Sequence, residues 1–197
     1  MFGKMAAVVL LLSASVFAQS APEIRHGSKE YELFAQGGHS VSGGTADTSV
    51  FSAGGRFGYG LFSLGGHSDY KNVLRGTVEY TVEGIPIYFV AQPGKNAFGA
   101  SFTPFNLKYN FTAAETFTPF LELGGGVLFT NNNVPAGTNT VNFTPQAGFG
   151  VHMPMSNGQS HVTLEMKYIH ISNAGLASPN PGVNTIQFKV GIGKFRR

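Results

Sequence analysis

The residues best placed to do chemistry are His170 and Ser172, two positions apart near the C-terminus. A serine hydroxyl becomes a useful nucleophile when an imidazole can take its proton and a third group holds that imidazole. From Val162 to Ser172 the even positions read Val162, Leu164, Met166, Tyr168, His170 and Ser172, and the odd ones Thr163, Glu165, Lys167 and Ile169. Alternate side chains of a strand share a face, so the pair stands at the top of an apolar stripe with Cα atoms about 6.6–7 Å apart. In a membrane barrel such a stripe meets lipid. An acid–base residue and a hydroxyl there point to chemistry on a lipid.

The third group has to come from the neighbouring segment on the same face. There the apolar set runs from Ile192 through Ile186 to Asn184, which makes Asn184 the positional candidate. An amide carries no charge to stabilise an imidazolium, but it can fix the tautomer, as in Cys-His-Asn proteases. Glu79, Glu83, Glu122 and Glu165 fall on the opposite face by parity. They are expected to join Arg56, Arg75, Lys108 and Lys167 in a polar interior.

The elements that must position these residues repeat one pattern. Eight segments of alternating character cover roughly 30–39, 50–64, 73–91, 98–111, 117–130, 140–153, 160–172 and 184–195. The third sets Leu74, Val78, Tyr80 and Val82 against Arg75, Thr77, Glu79 and Thr81; it is over-long, and its Gly84 and Pro86 predict a bulge or a strand projecting beyond the bilayer. The sixth sets Val141, Phe143, Ala147, Phe149, Val151 and Met153 against Asn142, Thr144, Gln146 and His152. A spanning strand needs about 9–11 residues, and these segments suffice. Short connections at 112–116 and 156–159 contrast with longer ones at 131–139 and 173–183. That is the habit of short periplasmic turns and longer outer loops. With the first strand rising from the periplasm, His170 and Ser172 are expected at the outer leaflet.

Composition agrees. Charged residues are 12% of the chain, glycine is abundant at 27, cysteine is absent, and no long apolar run follows residue 18. These features are awkward for a soluble enzyme or a helical membrane protein and suit an all-β, eight-stranded antiparallel transmembrane β-barrel of the outer-membrane type. Trp is also absent, so Phe and Tyr have to supply the interfacial girdles. Lys4, the apolar run from Ala6 and the Val16-Phe17-Ala18 site read as a signal peptide over residues 1–18, leaving 19–197 as a single barrel domain. Losing Lys4 takes the formal charge from +3 to +2, too little to argue for nucleic acid. His26, His39, His67 and His161 show no metal-ligand spacing and are expected at loops or strand ends, and His152 is expected in the lumen. No metal and no cofactor are assigned, and whether two copies pair as a homodimer stays open.

The loop after Ser172 reads Asn173-Ala174-Gly175-Leu176-Ala177-Ser178-Pro179-Asn180-Pro181-Gly182. The His-x-Ser-Asn-Ala-Gly-Leu run followed by Pro-Asn-Pro-Gly closely resembles the lipid A 3-O-deacylase (PagL) family of outer-membrane acyl hydrolases. Further similar stretches are Ser101-Phe102-Thr103-Pro104, the run from Pro119 to Gly126, and Asn157-Gly158-Gln159; together the resemblance covers roughly Phe98 to Phe195. It implies a serine hydrolase site on the outside wall of the barrel, acting on the lipid A of lipopolysaccharide. The family's histidine and serine fall on His170 and Ser172. Its acid falls on Asn184, where this sequence departs from the Glu of the best-known members. Asn173, Gly175 and Asn180 match loop positions that could offer oxyanion donors. Two other classes stand beside this reading: a catalytically impaired or non-enzymatic barrel that kept the loop but lost the acid and binds lipid or is structural, and a soluble exported β-sandwich or small lipocalin-like binder with an apolar interior.

Overall fold

The computed structural model describes residues 20–65, 73–155 and 159–197. The expected signal peptide, His67 and most of the 156–159 turn lie outside the described residues. Nine antiparallel strands follow in chain order: β1 (Lys29–Val41), β2 (Ser49–Leu64), β3 (Gly76–Ala91), β4 (Ala97–Phe111), β5 (Thr118–Thr130), β6 (Val141–Phe143), β7 (Gln146–Pro154), β8 (Ser160–Ile171) and β9 (Val183–Arg196). Strands adjacent in sequence pair with one another except β6 and β7, which both pair with β5, and β1 also pairs β9, which closes the sheet on itself.

The barrel has eight staves, because β6 and β7 are two halves of one. Both pair with β5 in a single register, Val127 opposite Phe143 and Gly124 opposite Gln146. The interruption falls at Thr144 and Pro145, where proline has no N–H to give the ladder. The wall stays closed there, since Thr144 N–H donates to Gly126 O at 2.8 Å and His170 N–H to Pro145 O at 3.0 Å. The expected irregularity in the third stave is present as register shifts between Ile85 and Tyr88 against β4 and opposite Gly84 against β2.

Alternation decides which way each side chain faces. Leu33, Phe51, Leu123, Phe149, Phe188 and Ile192 stand outward and exposed, Leu33 at 75%. Their inward neighbours Glu32, Ser52, Glu122, Gly148, Gln187 and Lys189 line the interior. Apolar outside and polar inside is the reverse of a soluble sandwich or lipocalin-like binder, and with a closed sheet it is how backbone polar groups survive in lipid.

The interior holds two polar clusters and an apolar plug. At mid-barrel, Arg56 bonds Glu83 and Glu122 at 2.7 Å, while Lys167 and Lys189 bridge to Glu83 and Glu165. Nearer one end Lys108 pairs with Glu30 and Glu79. Arg75 does not join this network, contrary to expectation. It precedes β3 at the barrel mouth and donates to Thr112 O at 2.7 Å. At the opposite end, Phe34, Val50, Ile85, Tyr88, Val90, Leu128, Val134, Ile169, Ile171 and Val183 form a buried apolar plug. The lumen is therefore not polar throughout. Ile169, Ile171 and Val183 alternate in sequence with His170, Ser172 and Asn184, so a dry plug backs the wall that carries these three.

Candidate active site

β8 and β9 bring His170 and Asn184 directly opposite one another. They share the outer face with Leu164, Tyr168 and Phe188, all exposed, while the flanking Ile169, Ile171, Val183 and Thr185 are buried inward. His170 Nδ1 lies 2.6 Å from Asn184 Oδ1. An amide oxygen only accepts, so the imidazole carries its proton on Nδ1 and leaves Nε2 with a lone pair. That is the tautomer a general base needs.

Ser172 follows β8 and is tied to β6 by two backbone bonds, Phe143 N–H to Ser172 O at 2.7 Å and Ser172 N–H to Phe143 O at 3.1 Å. Bridged residues of antiparallel strands share a face, and Phe143 points outward at 36% exposure. Ser172 therefore sits on the outer wall beside His170, itself only 6% exposed. Among the described residues no hydrogen bond joins Ser172 Oγ to His170 Nε2. Such bonds are often long before substrate binds and tighten in the complex.

The loop from Ser172 to Gly182 is self-braced. Asn173 N–H donates to Asn180 Oδ1, Gly175 N–H to Asn173 Oδ1, and Asn173 Nδ2 to Ala177 O, at 2.9–3.1 Å. Ala174 and Gly175 take φ of 54° and 79°. The main-chain N–H groups of Asn173 and Gly175 are thus committed within the loop. Asn180 Nδ2 makes no hydrogen bond among the described residues.

The connection between β1 and β2 contributes a support that spacing along the chain did not reveal. Asn184 Nδ2 donates to Ser42 O at 3.3 Å, and Thr45 N–H donates to Gly182 O at 2.8 Å. Gly182 has φ +67°, and a Cβ there would meet His170 Cε1 at 2.7 Å. Gly43 has φ +97°, and a Cβ there would lie 2.9 Å from Asn184 Nδ2. Both glycines are required by backbone conformation and by close approach to the pair. Turn glycines were visible in the sequence, but only the closure of β9 onto β1, Val41 opposite Asn184, shows what they touch.

A model of the lipid A 3-O-deacylase (PagL) family matches residues 58–193. The chain belongs to that family. Among solved structures it is similar to the outer-membrane enzyme PagL, at 22% identity with 81% of this chain and 97% of that one covered and a TM-score of 0.57. It is also similar to the N-terminal β-barrel domain of OprF from Pseudomonas aeruginosa (13% identity, 88% and 100% covered, TM-score 0.52) and to OprG from the same organism (14%, 90% and 99%, 0.53). These likenesses show the fold, a closed antiparallel β-barrel, and with the family match they mark an integral outer-membrane protein. No curated protein matches the chain. The family match spans His170, Ser172, Asn184 and the loop between them.

Proposed function

We propose that this protein is an outer-membrane serine esterase that hydrolyses the 3-O ester-linked acyl chain of lipid A, with Ser172 as nucleophile, His170 as base and Asn184 as the residue that orients the imidazole. The observation that carries the reading is the 2.6 Å bond from His170 Nδ1–H to Asn184 Oδ1 on the lipid-facing wall, beside the serine of a PagL-family loop.

Ser172 Oγ attacks the ester carbonyl as His170 Nε2 takes its proton. The tetrahedral intermediate collapses, His170 returns the proton to the 3-oxygen of the sugar, and the acyl group stays on Ser172. Water, deprotonated by His170, then attacks that acyl ester; the bond to Ser172 Oγ breaks, His170 returns the proton to Ser172 Oγ, and a 3-hydroxy fatty acid leaves. Asn180 Nδ2 keeps a donor to offer the oxyanion, while Asn173 and Gly175 hold the loop that presents it. The site lies on the outside of the barrel near the loops of the outer leaflet, so acyl chains reach it along the wall and none has to enter the lumen. The chemistry calls for no cofactor.

A barrel that binds lipid without hydrolysing it is the second reading, favoured by one observation: an amide stands at residue 184 where the family's acid is expected. Purified protein in detergent, incubated with lipopolysaccharide, separates the two. Release of free 3-hydroxy fatty acid by the parent and not by Ser172→Ala supports the esterase. Bound lipopolysaccharide with no release from either supports the binder.

A further inference from the structure

At the end of the barrel opposite His170, four buried side chains from three staves converge: Glu30 and Glu32 of β1, His152 of β7 and His161 of β8. His161 and His170 are nine residues apart on one strand, about 30 Å. We propose that this cluster is a structural site for one divalent transition-metal ion of the Zn2+ type, held by His152 Nε2, His161 Nε2 and one oxygen from each glutamate.

Geometry gives the first argument. The four ligand atoms all lie within 4.8 Å of one another. His161 Nε2 stands 3.4 Å from Glu30 Oε1 and 3.7 Å from Glu32 Oε2, and His152 Nε2 is 3.7 Å from Glu30 Oε1. A tetrahedron with metal–ligand bonds of 2.0–2.2 Å has edges of about 3.3–3.6 Å. One of the three separations already fits, and the other two need only about a tenth to a few tenths of an ångström of contraction. Glu30 Oε1 and both His161 nitrogens are fully buried and form no hydrogen bond among the described residues.

The tautomer of His152 gives the second. Thr163 Oγ1 donates its hydrogen to Glu32 Oε2 and so can only accept from His152 Nδ1–H, 3.0 Å away. His152 is thereby held with its Nε2 lone pair facing the cluster, the arrangement that outer partners impose on metal-binding histidines. Lys108 Nζ lies 3.4 Å from that lone pair. It is bound more closely to Glu30 Oε2 and to Glu79, at 2.5 and 3.0 Å, and keeps both when Glu30 Oε1 binds the ion. Room is left on purpose: a Cβ at Gly193 would fall 2.4 Å from His161 Nε2, and one at Gly191 2.7 Å from Glu32 Cδ.

Charge gives the third. Among the described residues the interior buries six carboxylates (Glu30, Glu32, Glu79, Glu83, Glu122, Glu165) against four cations, Arg56, Lys108, Lys167 and Lys189. With both histidines neutral, as metal ligands must be, two positive charges are lacking, and a divalent ion supplies two. Buried charge without compensation is costly.

The test uses full-length protein refolded in detergent with and without Zn2+, freed of loose metal and assayed for bound ion, and a parallel sample refolded with Co2+. The proposal expects one Zn2+ per chain, the visible absorption of four-coordinate Co2+, and a higher unfolding temperature for the loaded protein. His161→Ala should abolish the stoichiometric ion, and Thr163→Val should weaken Zn2+ by about 10–100-fold. Heat-modified gel mobility checks that each variant has closed its barrel. Where a variant does not fold, the parent's stoichiometry and Co2+ spectrum decide. Less than one tenth of an ion per chain in the parent overturns the site. So does six-coordinate Co2+, or equal retention by the parent and His161→Ala (an adventitious ion only).

Discussion

Ser42 offers its carbonyl oxygen to Asn184 Nδ2 at 3.3 Å, and that bond decides which end of the amide His170 meets. A carboxylate presents the same oxygen either way round. An amide does not, and turned over it would show an NH2 group to the imidazole and hold the wrong tautomer. In serine proteases Asp→Asn at the triad acid costs about 10⁴ in kcat for that reason. Here the Ser42 carbonyl, which only accepts, keeps the nitrogen on its own side and the oxygen on His170.

Asn184→Ala should therefore lower kcat for acyl release at least about 100-fold, the scale of general acid–base assistance, with KM little changed. Asn184→Asp should give no more than the parent's kcat, because its second oxygen would face the Ser42 carbonyl. Steady-state kinetics on lipopolysaccharide micelles measure both. A rise of tenfold or more in Asn184→Asp would show that the amide is an impairment and not a fitted part.

The two glycines against the pair make a sharper geometric prediction. Gly182→Ala places a methyl 2.7 Å from His170 Cε1, so either the ring or the loop must shift. A displacement of about 1 Å at a reacting group can cost on the order of 100-fold. Gly182→Ala should lose about that much activity while gel mobility still reports a closed barrel. Wild-type rates in this variant would place the imidazole elsewhere during turnover.

Stability rests on the mid-barrel network. Glu83 Oε1 accepts from Arg56 at 2.7 Å and lies 3.1–3.2 Å from Lys189 and Lys167, all without solvent. Glu83→Ala leaves three buried cations short of a partner and should cost about 3–5 kcal/mol in urea unfolding, the scale for breaking one side of a buried ion pair. A cost under about 1 kcal/mol would show that water or the remaining glutamates take over its role.

Sidedness is tested by Leu123, near the middle of β5 and 66% exposed on the outer wall. Leu123→Arg should destabilise the protein by about 2–4 kcal/mol in a bilayer, as charge at the midplane of a lipid face does. In a soluble sandwich the same exposed position would accept arginine almost without cost.

Most of the barrel could be read from the chain because most staves alternate with period two and most turns are marked by glycine, asparagine or proline. The expected segment 184–195 and the observed Val183–Arg196 differ only at the ends. Pairing His170 with Asn184 also needed only parity and a hairpin, which are local. What did not follow was whatever depends on closure. Ser42 and Gly43 reach Asn184 only because β9 pairs with β1. Arg75 has the parity of an interior residue but precedes β3 at the mouth, where it donates to the Thr112 carbonyl oxygen. Glu30, Glu32, His152 and His161 lie 131 residues apart at the extremes, on staves that no spacing rule connects. The apolar plug of Phe34, Val90 and Ile171 was likewise hidden, since an apolar inward residue looks the same in sequence as an outward one shifted by a bulge.

The central claim is that Ser172 breaks an ester of lipid A with His170 as its base. Mass spectra of lipid A from cells expressing the parent, Ser172→Ala and His170→Ala test it most directly. The account predicts lipid A short of one 3-hydroxyacyl chain in the parent alone. Identical spectra from all three strains, with each protein shown to be folded in the outer membrane, would contradict it.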